Sequence, residues 1–201
     1  MGWFSLPGAA PVVALMLAAL TVVGGVGTAE AEKMERPEFS PVSHEGAFEI
    51  RDYGALVVDQ FTIQETYKQA VSQGYIRLEK YYPGANTTPE AIQFTKPAMV
   101  RNDLAGGWTT MFVLPKAYRV DTAPRPIDRR IRVVEIPARR AVVVVFPGKL
   151  NEAAMHEQIE VLEAWLAAKG IAHAQDFTLA SYDDAWVPGR ARRNEVIVTL
   201  K

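Results

Sequence analysis

The sequence predicts an α+β fold, in which a curved antiparallel β-sheet or open barrel carries two helices on its outer side. Two observations lead to this class. Segments with the alternation of strands and segments with helical spacing follow the order strand, strand, helix, strand, strand. That order occurs twice, at an offset of roughly 85 residues, which suits a duplicated half-domain. We therefore expect two pseudo-symmetric halves, with a groove for a ligand where they meet.

The composition is that of one globular domain. Of the 201 residues, 49% are hydrophobic and 22% are charged. The sequence contains no cysteine, which excludes disulfides, thiolate zinc sites, iron–sulfur clusters and a cysteine nucleophile. The 22 basic and 23 acidic residues nearly balance, so the basic excess expected of a nucleic-acid-binding protein is missing.

The amino terminus indicates export. Residues 8–29 are apolar and contain no ionisable side chain, and they lead into Ala29-Glu30-Ala31, whose small residues suit a signal peptidase. Residues 1–31 are therefore a signal peptide or, since the run is long enough to span a bilayer, an uncleaved membrane anchor. Either interpretation predicts a periplasmic or extracytoplasmic domain. Residues 32–46 are predicted to be a polar tether, with folding from Ala47 onward.

The first predicted half begins with two strands that are joined tightly at Gly54. Residues 48–53 alternate apolar and charged side chains, and residues 55–61 are β-branched and apolar. Residues 64–82 change to helical spacing. The apolar stripe of this helix comprises Tyr67, Val71, Leu78 and Tyr81. Strands at residues 92–100 and 108–114 follow, with a hairpin turn at Gly106-Gly107.

The second half repeats this order after a proline-rich link. Strands are predicted at residues 131–136 and 141–146. Asn151 is a suitable N-cap for a helix that extends to Lys169, and Gly170 is a suitable stop. The remaining predicted strands are residues 177–182 and 196–200.

No catalytic or metal site is predicted. His44, His156 and His173 do not have the spacing of metal ligands. The sequence also lacks a Gly-x-Ser-x-Gly elbow and a glycine pattern that would hold phosphate.

Two regions are candidates for ligand binding. On the first helix, Tyr75 and Ile76 form an apolar patch beside three polar side chains, those of Ser72, Glu79 and Lys80. The second region is the loop of residues 182–190, which presents Trp186, Val187 and Arg190 between two strands. A large apolar side chain at a loop tip either meets a partner or covers the core, and both interpretations of Trp186 stay open.

Several short motifs together resemble the SOUL family of haem-binding proteins, over about residues 47–201. The motifs are Phe48-Glu49-Ile50-Arg51-Asp52-Tyr53, Gly74-Tyr75-Ile76-Arg77-Leu78 with Tyr81 and Gly84-Ala85-Asn86, Phe94-Thr95-Lys96-Pro97-Ala98, the run from Phe112 to Pro115, Tyr182-Asp183, and Arg192-Arg193-Asn194-Glu195-Val196. The resemblance implies a distorted antiparallel β-barrel with two helices and pseudo-twofold symmetry.

The resemblance also implies a function and a site. A non-enzymatic protein of this family would bind haem or another tetrapyrrole non-covalently, in a shallow pocket between the first helix and the loop before the last strand. These are the two candidate regions above, and the candidate binding residues in them are Ser72, Tyr75, Ile76, Glu79, Lys80, Trp186, Val187 and Arg190. Lys80 matches a basic position proposed to contact a propionate. Asp52 stands where some members carry a histidine, which leaves contact with the macrocycle face or a tyrosine such as Tyr75.

Two other functions compete with this one. An effector-binding module of the gyrase-inhibitor type would have a similar architecture and would use a carboxylate such as Glu195 for an amphipathic or cationic ligand. The structural alternative for Glu195 is burial against Arg192 or Arg193. A tetrapyrrole-modifying enzyme is the third possibility, although no general acid or base is identified.

Overall fold

The computed structural model describes residues 34–102 and 106–201, which fold around one nine-stranded sheet. The strands are β1 Phe39–Glu45, β2 Phe48–Tyr53, β3 Leu56–Ile63, β4 Ala98–Asn102, β5 Trp108–Val113, β6 Arg132–Ile136, β7 Arg139–Phe146, β8 Thr178–Ser181 and β9 Asn194–Thr199. The helices are α1 Tyr67–Tyr81 and α2 Glu152–Lys169. The predicted leader, residues 1–31, lies outside the described residues. Neither described helix is long and apolar enough to cross a bilayer.

The sheet is antiparallel throughout and curls into a half-barrel with the strand order β1-β2-β7-β9-β8-β4-β5-β3-β6. The predicted α+β class is confirmed. β2 and β3 do not pair with each other, because β2 pairs with β1 and β7 while β3 pairs with β5 and β6. Strands of the first half therefore pair with strands of the second. A symmetry relation between the halves stays a prediction.

The amino-terminal edge of the sheet differs from the expected tether. Phe39–Glu45 forms β1, which pairs with β2 from Phe39↔Tyr53 to Glu45↔Phe48 and has an irregularity between Pro41 and Ser43. Further upstream, the Glu35 carbonyl accepts a hydrogen bond of 2.9 Å from the Lys96 backbone N–H. The folded unit therefore begins well before Ala47. An edge strand whose side chains are all exposed lacks the alternation that reveals a half-buried strand.

α2 has the ends that the sequence predicts. The Asn151 side chain accepts a hydrogen bond of 2.8 Å from the Ala154 backbone N–H, which satisfies a donor in the first turn. Gly170 ends the helix with a φ of 65°, a conformation that glycine adopts without steric cost. α2 packs against β7 and β9.

α1 packs against β3 and β5 at close range. Gly74 faces Thr110 of β5, and a Cβ placed on Gly74 would lie 2.5 Å from the Thr110 Cβ. Thr110 Oγ1 donates a hydrogen bond of 3.0 Å to the Ala70 carbonyl, which ties the helix to the strand. Gly74 is needed here because only a glycine leaves room for this approach.

Candidate functional site

A cavity of about 540 Å³ lies between α1, the sheet and the two segments of residues 94–96 and 183–192; we call it the helix cavity. Its volume falls within the usual range for small-molecule sites. Its lining comprises Met34, Tyr67, Val71, Tyr75, Glu79, Phe94, Thr95, Lys96, Ala98, Val100, Phe112, Leu150, Leu179, Ser181, Asp183, Asp184, Ala185 and Arg192.

One face of α1 forms a wall of the helix cavity. Tyr67, Val71, Tyr75 and Glu79 recur at intervals of four residues and line it, as the helical period requires of residues on one face. A capping box fixes the start of the helix: Thr66 accepts from the Gln69 backbone N–H, and the Gln69 side chain accepts from the Thr66 backbone N–H.

Aromatic rings form much of the remaining surface. Tyr75 packs edge-on against Phe112 with the ring centroids 5.2 Å apart, and Phe94 stacks on Tyr82 at 4.3 Å. Burial raises the pKa of Tyr75 and of Tyr67, so both keep neutral phenols at physiological pH. The helix cavity therefore offers flat, uncharged surfaces to a ligand.

The mouth of the cavity carries charges of both signs. Lys96 Nζ lies 3.0 Å from Asp184 Oδ1, and the Lys96 side chain is only 17% exposed. The Arg192 guanidinium donates 2.8 Å from Nε to the Val187 carbonyl and from Nη2 to the Ala185 carbonyl, so it braces the loop. Asp183 accepts a hydrogen bond of 2.6 Å from the Arg193 backbone N–H. Among the described residues that line the cavity, Lys96 and Arg192 are the cations.

The structure places two of the eight candidate residues in the lining of the helix cavity, Tyr75 and Glu79. On α1, Ser72 and Lys80 are exposed and Ile76 is 55% exposed, all three outside that lining.

The remaining candidates lie in the loop of residues 182–190 and its short 3₁₀ turn. Trp186 is 81% exposed, although its neighbours Asp184 and Ala185 line the helix cavity. Val187 is half-buried and Arg190 is exposed. Neither Ile76 nor Trp186 is sealed in the core, and a recess large enough for a ligand lies between their two segments.

Several lining residues were not identified from the sequence. Tyr67 and Val71 belong to the apolar stripe predicted for the first helix, and they also line the cavity. The sequence presents Lys96 and Phe94 only as part of a family motif. The local sequence offers only a cation close to Phe94, and its partner Asp184 is 88 residues away in the chain. No local pattern reveals such a pairing.

Glu195 is not available to a ligand in a groove. It is 1% exposed on the inner face of the sheet and forms two hydrogen bonds of 3.1 Å with Arg51, itself fully buried. Arg193 approaches it at 2.7 Å and the Tyr182 hydroxyl donates to it at 2.9 Å. Glu195 is therefore buried against Arg193, as the structural alternative expects, and Arg51 is an additional partner. A buried pair in which the remaining lone pairs are satisfied is a structural element.

The chemistry available in the helix cavity is non-covalent binding of an apolar molecule that carries charged groups. Within residues 34–102 and 106–201, no group of three or more histidine or acidic side chains is arranged to hold a metal ion. The aromatic and aliphatic walls suit a planar hydrophobic molecule, and the cations at the mouth suit its carboxylates.

Comparisons with known proteins agree with this chemistry. The sequence model of a family described as SOUL heme-binding protein matches residues 34–199. The chain is 26% identical over 183 residues to heme-binding protein 1 of Xenopus laevis, covering 88% of this chain and 93% of that protein.

Solved structures with low sequence identity share the fold. The C-terminal domain of EcmrR has a TM-score of 0.61 at 11% identity, covering 81% of this chain and 98% of that one. SAV2435 bound to tetraphenylphosphonium has a TM-score of 0.50 at 12% identity, covering 77% and 93%.

Proposed function

This chain belongs to the SOUL heme-binding family, and on that premise we propose that it binds haem or a related tetrapyrrole non-covalently in the helix cavity. The resemblance seen in the sequence motifs is thereby confirmed at the level of the family. The proposed role is that of a binding protein and not of an enzyme. The observation that carries the proposed site is a cavity of about 540 Å³ with aromatic walls, whose lining includes Lys96 and Arg192.

The fit between the cavity and a tetrapyrrole depends on two kinds of contact. The apolar macrocycle would lie against Val71, Tyr75 and Phe112, which together offer aliphatic and aromatic surface. The propionates would lie at the mouth, where Lys96 can exchange its pairing with Asp184 for a ligand carboxylate. Lys96 therefore takes the propionate role that the sequence favoured for Lys80.

Binding in this cavity is proposed to rest on the macrocycle and its carboxylates more than on iron. The described lining includes no histidine, and burial raises the pKa of the Tyr75 phenol, which opposes the tyrosinate that iron ligation requires. Metal-free protoporphyrin should consequently bind with an affinity within about threefold of haemin, because burial of apolar area and charge pairing dominate both complexes.

A titration with a cavity-filling variant tests the proposal. Haemin absorbance and protoporphyrin fluorescence should change saturably with the wild-type protein at micromolar concentration. Val71→Trp fills the helix cavity and should weaken binding at least tenfold, whereas Val161→Trp on the exposed face of α2 should leave it unchanged. Absence of saturable binding of either pigment to the wild-type protein would contradict the function. Equal binding by the two variants would contradict the site.

A cationic ligand is the second candidate for the same cavity. Glu79 and Asp183 in the lining favour it, and a protein of similar fold, SAV2435, is solved with bound tetraphenylphosphonium. Tetraphenylphosphonium should displace protoporphyrin only at large excess if the tetrapyrrole proposal holds. Tighter binding of tetraphenylphosphonium than of protoporphyrin, abolished by Glu79→Gln, would establish the alternative.

The proposed location is the cell envelope. Support comes from the apolar residues 8–29 and the Ala29-Glu30-Ala31 sequence that follows them. Sequencing the amino terminus of the protein from membrane and periplasmic fractions tests this. A chain that starts after Ala31 would support cleavage, one that starts at Met1 in the membrane fraction would support an anchor, and a full-length cytosolic chain would contradict both.

A further inference from the structure

A second recess lies on the inner face of the half-barrel, at one end of its strands; we call it the barrel cleft. Its volume is about 340 Å³. Its lining comprises Met99, Arg101, Ile136, Pro137, Ala138, Arg139, Asp176, Thr178, Ile197 and Thr199. We propose that the barrel cleft is a separate binding site for a small amphipathic carboxylate.

The barrel cleft is distinct from the helix cavity because the two share strands but not side chains. In β4, Ala98 and Val100 line the helix cavity, whereas Met99 and Arg101 line the barrel cleft. In β8, Leu179 likewise lines the helix cavity and Thr178 the barrel cleft. Successive side chains of a strand point to opposite faces, so the two recesses lie back to back across the sheet.

The charge in the barrel cleft is positive and incompletely paired. Arg101 Nη1 lies 3.7 Å from Asp176 Oδ2, at the long end of ion-pair distances. Arg139 is half-buried, and no carboxylate of residues 34–102 and 106–201 lies within ion-pair distance of it. Its Nη1 atom is buried without a hydrogen-bond partner in that same part of the chain. Among the described residues that line the cleft, Asp176 is thus the one carboxylate beside two guanidinium groups.

The electrostatics of Arg139 favour a bound anion. Burial lowers the pKa of Arg139, and the positive charge of Arg101 lowers it further. Tyr53 and Asp176 act in the opposite direction, and the Arg139 Cζ atom lies 5.4 Å from the centroid of the Tyr53 ring. A partly desolvated, unpaired cation is costly, and a ligand carboxylate would remove much of that cost.

The remaining lining specifies the kind of anion. A guanidinium group favours a planar carboxylate, with which it forms two parallel hydrogen bonds. The hydroxyls of Thr178 and Thr199 can donate to the same group. Met99, Ile136 and Ile197 provide an apolar floor that an inorganic ion would leave uncovered. A carboxylate with a short hydrocarbon chain satisfies both parts of the cleft.

Hexanoate and its uncharged analogue hexanamide test the proposal with the purified protein. The methyl resonance of Met99 reports on the cleft, and that of Met155, on the buried face of α2, serves as the control reporter. Hexanoate should shift the Met99 resonance saturably and leave Met155 unchanged. Hexanamide should bind at least tenfold more weakly, because it cannot replace the missing negative charge.

Two variants that should change the hexanoate affinity in opposite directions complete the test. Arg139→Gln should weaken hexanoate binding about tenfold, whereas Arg140→Gln, which alters an exposed arginine paired with Asp52, should leave it within twofold. Asp176→Asn should strengthen binding, since it frees Arg101. Equal affinity for hexanoate and hexanamide would overturn the proposal. An affinity of Asp176→Asn for hexanoate that is unchanged or weaker would also overturn it, and this outcome can be measured even if Arg139→Gln fails to fold. Saturating the helix cavity with protoporphyrin should not displace hexanoate.

Discussion

Lys96 shows how a single residue can join distant parts of the chain at the mouth of the helix cavity. Its Nζ pairs with Asp184 at 3.0 Å and its backbone N–H donates to the Glu35 carbonyl. Lys80, by contrast, is exposed on α1 and lies outside the lining. A lysine held at a partly buried rim is better placed for a ligand carboxylate than one whose charge is fully hydrated.

Replacing Lys96 should therefore affect tetrapyrrole binding. We expect Lys96→Met to weaken protoporphyrin binding about tenfold, the loss expected for one charge-assisted hydrogen bond. The matched variant Lys80→Met should change the affinity less than twofold. Fluorescence titration of both variants gives the comparison, and the reverse order of effects would return the propionate role to Lys80.

Asp59 is a buried carboxyl group beneath α1 whose ionisation opposes folding. Burial raises its pKa to about 8, although hydrogen bonds from the Tyr82 hydroxyl and the Phe112 backbone N–H favour the charged form. The folded state thus holds a proton that the unfolded chain releases near pH 4. Stability should therefore fall as the pH rises from about 4 to 8, by up to about 1.4 kcal/mol per pH unit from this group.

Asp59→Asn should reduce that pH dependence, because the amide resembles the protonated acid and does not titrate. Urea unfolding at pH 5, 6, 7 and 8 measures the effect, which should be a shallower decline than in the wild-type protein and a relative gain at pH 8. Asp121→Asn, at an exposed aspartate, is the control and should retain the wild-type slope. Parallel curves for Asp59→Asn and wild type would show that Asp59 is ionised in the fold.

At the scale of elements, the contact between α1 and β5 determines the position of the cavity wall. Gly74→Ala would place a methyl group 2.5 Å from the Thr110 Cβ, so the helix must move away from the strand. We expect a loss of about 1–3 kcal/mol from overpacking, partly offset by the better helix propensity of alanine. Thermal unfolding should show the loss, and protoporphyrin titration should show weaker binding.

Gly54→Ala provides the comparison for that experiment. A Cβ at Gly54 would meet no atom within 4 Å, so its introduction should leave both stability and affinity nearly unchanged. If Gly74→Ala behaved like Gly54→Ala, the close approach of α1 to β5 would not be a constraint on the site.

The elements that the sequence predicts well are those whose signals are local. Asn151 and Gly170 mark the ends of α2 because capping involves atoms within one turn of the helix. β1 was missed because an exposed edge strand depends on its partner β2 and carries no period of its own. The pairing of β2 with β7 instead of β3 is also nonlocal. Of the candidate site residues, Tyr75 and Glu79 line the helix cavity, while Lys96 and Arg192 reach that lining through loop contacts that no local pattern reveals. That the cavity is the ligand site stays a prediction.

At the scale of the whole molecule, the proposed function links pigment binding to stability. A ligand that binds only the folded state stabilises it by about 2.7 kcal/mol at a concentration of 100 Kd. For a domain of this size the unfolding midpoint should rise by roughly 5–10 °C with protoporphyrin. Calorimetry at increasing pigment concentration measures the rise. Val71→Trp should show little of it, and an equal rise in both proteins would place the pigment elsewhere.

Because neighbouring residues of β4 face different recesses, the linings of both recesses depend on the pairing register of that strand as much as on its residues. Sliding it by one position would exchange the two linings, bringing Met99 and Arg101 to the helix cavity and Ala98 to the barrel cleft. An insertion or deletion of one residue inside β4 would thus change the linings of the helix cavity and the barrel cleft together. A conservative substitution would change only one of them. Natural length variation in this protein's relatives should accordingly accumulate between β4 and β5 and spare the strand.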